Sequence, residues 1–298
     1  MRISLIDVDS KIPNLALMKI SAYHKKKGNN VGFNISDPDQ VYVSCIFKKN
    51  REQALGIAKM FSCPVKFGGS GINYNKLPDD IEHTMPDYDL YPSEYSMGFT
   101  SRGCFRNCKF CIVCDKEGML KPNCDIYEFY DSRFNHIVLL DNNILGLPDH
   151  FEKIAQQIID NDLTVDFNQG LDIRLINNTN AKILSDLRVK PEYRFAFDNP
   201  KDEKIITKKI GLLKKYNIRG MFYVLVGFNT TLDQDLHRIK VLNDLKQRAY
   251  IMRYESVNGK QPYTDLAHWV NGGQFQTTMD FQTYRKVRHP NWLGIKIN

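Results

Sequence analysis

The chain has 298 residues, 42% hydrophobic and 25% charged, with a formal net charge of +7, a globular balance that can bury about 70–75% of the unfolded surface without disulfides or metal. No apolar run approaches the roughly 20 residues of a membrane span, and the opening MRISLIDVDS lacks the charged, apolar and small-residue succession of a secretory signal. The cytoplasm is the expected compartment, so seven cysteines, with Cys104, Cys108, Cys111 and Cys114 crowded together, read as metal ligands or reactive thiols rather than a disulfide framework.

Along the chain, Ile3–Val8 is a predicted buried strand. Asn14 is placed to cap a helix whose apolar positions Leu15, Met18, Ala22 and Tyr23 recur at helical spacing and which ends near Gly28. A strand at Val41–Phe47, a helix over Arg51–Phe61 and a strand at Pro64–Phe67 follow. Strands alternating with helices predict parallel pairing, hence a small doubly wound, Rossmann-like α/β domain over residues 1–90. The stretch Asn73–Tyr95, punctuated by Pro78, Pro86 and Pro92, reads as an ordered linker.

A second series fills residues 95–255. Its predicted strands are Gly98–Thr100, Ile137–Leu140, Val165–Phe167, Tyr193–Phe197, Met221–Val226 and Tyr250–Arg253. Helical patterns lie between them near 125–133, 149–160, 179–188, 202–216 and 231–247. This is too short for an eight-unit barrel but fits an open, partial (β/α)6 TIM-like barrel, where chemistry sits at the carboxyl ends of the strands. Residues 256–298 form a C-terminal extension expected to cover the barrel. Its Trp269, Phe275, Phe281 and Tyr284 suit either that packing or stacking on a base.

The first strand of the second series runs into Ser101-Arg-Gly-Cys104-Phe-Arg-Asn-Cys108-Lys-Phe-Cys111. Three thiolates at C-x3-C-x2-C can hold three irons of a cubane and leave the fourth open to a substrate or cofactor, unlike a closed structural site. With Cys114 the run becomes C-x3-C-x2-C-x2-C, and four thiolates could instead close a zinc site or a complete cluster. Neither the paired C-x2-C knuckles of zinc sites nor the continuous ferredoxin spacing is present. Cys114 and Cys124 read as plain thiols, Cys45 and Cys63 as packing residues.

The loop Cys104, Cys108, Cys111, with aromatic Phe110 before the third cysteine, resembles the cluster loop of the radical S-adenosylmethionine enzymes. That resemblance implies a 4Fe–4S cluster on these three cysteines and S-adenosylmethionine on the open iron. It further implies reductive cleavage to a 5′-deoxyadenosyl radical that abstracts hydrogen from a substrate, and an external electron donor of the flavodoxin or ferredoxin type. The remaining cofactor contacts would come from the strand ends. Asp141 and Asn142 follow the second strand, where the family holds the methionine amino group, although the family's glycines and glutamate are not met; a turn or cap role is equally open. Gln169, Asp172 and Arg174 close the third strand as candidate ribose, substrate or carboxylate contacts, with a structural Asp172–Arg174 ion pair as the other reading. Asp198 and Asn199 follow the fourth strand. Gly227 ends the fifth, where the family packs the adenine.

Residues 14–69 also resemble the cobalamin-binding-like domain that precedes many radical S-adenosylmethionine barrels. The motif D-x-H-x-x-G is absent, so the expectation is a degenerate relative that does not bind cobalamin. The basic stretches Lys201–Arg219 and Arg285–Lys296 give a mild lean towards a nucleotide or nucleic-acid substrate. The competing class is a non-catalytic zinc- or iron–sulfur-binding module docking to nucleic acid through its basic face.

Overall fold

The computed structural model describes residues 1–273 and 278–289. The chain divides into two compact units, residues 1–168 and 169–298.

The first unit begins with β1 (Arg2–Asp7), α1 (Leu15–Lys26), β2 (Asn30–Phe33), β3 (Gln40–Ser44), α2 (Arg51–Ala58), β4 (Val65–Gly68) and the short α3 (Asp79–Glu82). The four strands pair in parallel in the order β2-β1-β3-β4. On one face Ile3, Leu5 and Tyr42 pack with Leu17 and Ile20 of α1 and Ile81 of α3. On the other, Ile6, Val41, Val43 and Cys45 pack with Ala54 of α2. Apolar side chains on both faces and a helix against each make the sheet doubly wound. Asn14 caps α1: its side-chain oxygen accepts from the Leu17 N–H at 3.2 Å, while its amide donates to Ser10 Oγ and Ser44 Oγ at 2.9 and 2.8 Å. Strand β2 has no counterpart among the predicted elements. It is a four-residue edge strand containing Gly32 and only partly buried, so it lacks the apolar run that marks a buried strand.

The same unit continues with β5 (Ser96–Gly98), the antiparallel ribbon of β6 (Ser101–Arg102) and β7 (Lys121–Pro122) with α4 (Val113–Glu117) between them, then β8 (His136–Leu139), α5 (Pro148–Asp160) and β9 (Thr164–Phe167). Strands β5, β8 and β9 are parallel neighbours. Helix α5 buries Phe151, Ile154, Ala155 and Ile158, the i, i+3, i+4, i+7 stripe of a core-facing helix. The helix predicted near 125–133 is not formed; only Ile126–Glu128 makes a 3-10 turn. The Tyr88 hydroxyl donates to the Phe129 carbonyl at 2.6 Å, taking an acceptor that a continuing helix would need. One apolar cluster joins Leu15 and Met18 of α1, Tyr88 of the linker, Met97 of β5 and Val138 of β8. This shared core places the two segments on either side of residues 90–95 in one compact unit.

The second unit contains α6 (Asn178–Asp186), the two-residue β10 (Arg188–Val189), β11 (Tyr193–Ala196), α7 (Glu203–Lys215), β12 (Gly220–Val226), α8 (Leu232–Asp244), β13 (Arg248–Arg253), α9 (Tyr263–Asn271) and a last helix, Phe281–Arg288. Strands β11, β12 and β13 are parallel in that order. Capping boxes start α6 (Asn177 with Asn180) and α8 (Thr231 with Gln234). The Asn271 amide accepts from the Ile251 N–H at 2.7 Å and donates to the Ile251 carbonyl at 3.3 Å, so α9 occupies hydrogen-bonding positions on the outer side of edge strand β13. The aromatics of the extension pack inwards: the Trp269 and Phe281 rings are 5.3 Å apart, and Tyr284 is buried. Phe275 and residues 290–298 lie outside the described residues. Among the described residues no helix is long and apolar enough to cross a membrane.

Candidate functional site

The cysteine loop leaves the carboxyl end of β5 and is fixed from below by buried polar groups. Asp141, just after β8, is buried and accepts from the Thr100 N–H at 3.1 Å, the Thr100 hydroxyl at 2.7 Å, and both the N–H and the hydroxyl of Ser101. Burial pushes its carboxyl up, against the pull of those four hydrogen bonds. Asn142 accepts from the Gly103 N–H at 3.1 Å. Gly103 has a φ of +86°, and a Cβ there would come within 2.5 Å of the Gly118 carbonyl oxygen, so this bend requires glycine. The side chains of Asp141 and Asn142, expected at the cofactor, are thus both engaged in holding the backbone that leads into Cys104.

A charged network supports the other side of the loop. Arg102 pairs with Glu82 of α3 and with Glu117 of α4, the latter at 3.2 Å, and lies over the Phe99 ring at 3.9 Å. Lys19 of α1 reaches Glu82 at 3.3 Å and is itself buried. Burial pushes Glu82 up, but the Arg102 guanidinium and the Lys19 ammonium outweigh it and hold the carboxyl below its ordinary value. The sequence assigned no role to Glu82, Arg102 or Glu117. Their single signal was unusual charge close to a cysteine loop.

Cys104 is half-buried, and its Sγ accepts from the Arg106 N–H and from Asn143 Nδ2, both at 3.4 Å. Such N–H···S contacts stabilise sulfur bound to metal. Cys108 and Cys111 close a turn in which the Cys111 N–H donates to the Cys108 carbonyl at 2.9 Å; Cys111 is exposed, Cys108 and Phe110 are half-buried. Among the described residues no three His, Cys, Asp or Glu side chains converge on a point where they could hold a metal ion. The donor set suits an iron–sulfur cluster: three cysteines on one loop, one with two N–H donors on its sulfur, and beside it a buried Asn143 Oδ1 that has no hydrogen-bond partner among the described residues. The Cys114 thiol donates to the Cys104 carbonyl at 3.2 Å and so tethers the loop to α4. Burial pushes the Cys124 thiol up to about 12, and it donates to the Phe99 carbonyl at 3.2 Å.

Asn143, which the sequence reading passed over for its two neighbours, is 3% exposed. It precedes the 3-10 turn Ile144–Gly146 yet makes no side-chain cap bond to it. No sequence signal separates it from Asn142; only the course of the backbone does.

In the second unit two of the candidate ligands after β9, Asp172 and Arg174, are joined in an ion-paired set. Arg174 contacts Asp172 through Nε at 2.8 Å and Nη2 at 3.1 Å, and Asp202 through Nη1 at 3.1 Å. Asp172 also caps its own turn by accepting from the Arg174 N–H. Asp172 and Arg174 are ion-paired, the arrangement that the structural reading of this pair expects. Asn199 caps the Pro200–Asp202 turn, and Asp198 accepts from the Leu225 N–H at 2.9 Å. Gly227 ends β12 with a φ of +77°, and a Cβ there would lie 2.5 Å from Val257 Cγ2. Its N–H donates to Asp235 at 3.2 Å. Asp235 and Arg238 of α8 are fully buried and paired, and Arg238 also donates to the carbonyls of Phe197, Asp198 and Leu225. This unanticipated pair stitches the carboxyl ends of β11 and β12 together. Of the basic tail, Arg285 and Arg288 are paired with buried Asp265 at 3.3 and 3.1 Å, so these two do not present unpaired charge for a nucleic acid.

The elements define an α/β fold in which a small doubly wound, Rossmann-like sheet precedes a partial TIM-like barrel. No protein-family profile matches the chain, and no curated protein matches it. Among solved structures it is similar to the radical S-adenosylmethionine methyltransferase TsrM from Kitasatospora setae, solved with cobalamin and a 4Fe–4S cluster bound. The TM-score is 0.61 at 11% identity, over 85% of this chain and 74% of that one; the likeness is one of fold. Because that neighbour carries cobalamin, the expectation of a first domain that does not bind it is not borne out. The single histidine of residues 1–82, His24, is buried in α1 with its ring nitrogens at 3.1 Å from Tyr42 Oη and 3.0 Å from Asn29 Nδ2.

Proposed function

We propose that the chain is a radical S-adenosylmethionine enzyme, with Cys104, Cys108 and Cys111 as the ligands of a 4Fe–4S cluster. The observation that carries this reading is the three-cysteine loop itself, at the carboxyl end of β5 in a partial barrel and anchored by Asp141, Asn142 and Arg102. When bound, such a cluster supplies one electron to the sulfonium of S-adenosylmethionine, whose carbon–sulfur bond breaks to give methionine and a 5′-deoxyadenosyl radical that takes a hydrogen atom from the substrate.

The chain's own residues divide the remaining work. Asp141 and Asn142 hold the loop in place, and the Arg106 N–H and Asn143 donate to the Cys104 sulfur. The buried Asn143 Oδ1 is the acceptor proposed for the cofactor's amino group, the role first expected of Asp141 and Asn142, because it is the neighbouring oxygen left without a partner. Phe110 is proposed to line the cofactor. The electron is proposed to come from a flavodoxin- or ferredoxin-type donor.

The test is anaerobic reconstitution with iron and sulfide, followed by dithionite and S-adenosylmethionine. The expected result is a brown protein that releases 5′-deoxyadenosine, with cluster uptake and product both lost in Cys104→Ala. A colourless protein holding one zinc ion overturns the reading. Cleavage that survives Cys104→Ala overturns the ligand assignment. Titrating the same preparation with cobalamin decides whether residues 1–90 bind it.

A further inference from the structure

Asn143 departs from what its position favours. An asparagine just before a helical turn normally turns its side-chain oxygen back onto the turn's N–H groups. Here no such bond is made, although the residue is 3% exposed. Its Nδ2 instead donates to Cys104 Sγ at 3.4 Å, and its Oδ1 is buried without a hydrogen-bond partner. Buried amide oxygens are rarely left this way, and the exceptions call for a specific explanation. Asp141 and Asn142 beside it are engaged with the backbone of residues 100–103. Asn143 therefore joins two things through one planar group: a cluster-ligand sulfur on its nitrogen side and an unfilled acceptor on its oxygen side.

Resting on the cluster reading above, we propose that Asn143 is a positioning residue that couples occupancy of the cofactor site to the reduction potential of the cluster. An N–H···S hydrogen bond stabilises the more negative, reduced cluster and so raises its potential. When Oδ1 accepts a hydrogen bond from the amino N–H of the bound cofactor, the amide polarises and its N–H becomes the stronger donor. Cofactor binding then makes the one-electron reduction of the cluster easier by way of this side chain. The coupling is reciprocal: the reduced cluster strengthens cofactor binding by the same factor.

The test uses the full-length reconstituted protein and its Asn143→Leu and Asn143→Asp variants. Potentiometric titration followed by electron paramagnetic resonance reads the potential with and without S-adenosylmethionine, and equilibrium dialysis reads cofactor affinity in the oxidised state. In Asn143→Leu the reduced form should lose about fivefold in its equilibrium against the oxidised form, a drop of about 40 mV at roughly 59 mV per tenfold, and the shift produced by the cofactor should shrink. Asn143→Asp keeps an acceptor oxygen but sets a carboxylate against the sulfur, so it should lower the potential while binding the cofactor more tightly than Asn143→Leu does. Should Asn143→Leu not fold, the near-isosteric Asn143→Asp carries the test. Wild-type potential and wild-type cofactor shift in an iron-loaded variant overturn the proposal and leave the enzyme reading standing. A wild-type protein that takes up no iron overturns the enzyme reading, and the proposal with it.

Discussion

Two sets of strand ends in this protein are held by a buried aspartate, and they are balanced differently. After β12, Asp235 receives the Gly227 N–H and the Arg238 guanidinium, and Arg238 in turn reaches three backbone carbonyls. The charge is neutralised within the scaffold. After β8, Asp141 receives two N–H groups and two hydroxyls and has no cation among these partners. The cations of that region, Arg102 and Lys19, are paired with Glu82 and Glu117 instead. One end is a charge-paired brace in which, among the described residues, the buried Arg238 Nε has no acceptor. The other carries a thiol-bearing loop on neutral hydrogen bonds and leaves the Asn143 oxygen beside it without a partner. The brace balances its charge within the scaffold, whereas the loop rests on neutral donors.

The largest effect should come from breaking the brace. Arg238→Met leaves the Asp235 carboxylate buried without its countercharge and should cost about 3–5 kcal/mol in urea unfolding. The double variant with Asp235→Leu should recover much of that loss, since removing both charges also removes the desolvation cost. If the single and double variants were equally unstable, the brace would be ordinary packing.

A smaller loss is expected at the loop. In Asp141→Asn the new NH2 group meets a backbone N–H whichever way the amide is turned, Ser101 on one side or Thr100 on the other. The cost should be about 1–3 kcal/mol, and iron retention after gel filtration should fall further than the stability does. A variant as stable as wild type that loads iron normally would show that the loop does not depend on this anchor.

The smallest effect is pH dependence at Glu82. Its carboxyl is held below the ordinary value of 4.5, so the unfolded chain binds the proton more readily than the folded one. The stability it contributes is present above pH 4.5 and is lost as the pH falls through the folded value. Glu82→Gln should therefore flatten the acid limb of the unfolding profile, measured by thermal denaturation between pH 3 and 6, roughly the range over which such a carboxyl titrates. An unchanged acid limb would remove Glu82 from the electrostatic support of the loop.

The sequence by itself determined the βα alternation, the cysteine loop and the helix caps. Apolar runs at period 2 and 3.6, together with a capping residue such as Asn14, act through local backbone geometry that needs no partner to be read. Edge strand β2 and the missing helix near 125–133 escaped it, because one has no apolar run and the other yields to a hydrogen bond from Tyr88. The tertiary structure alone decided how neighbouring polar residues divide their roles. In Asp141-Asn142-Asn143 the first two turn to the loop backbone and the third to the Cys104 sulfur. Arg174 turns to Asp172 and Asp202, and Arg238, which no sequence motif marks, governs the strand ends. Backbone periodicity is a local property of the chain, but the partner of a buried polar group is set by which other elements pass within about 3 Å of it.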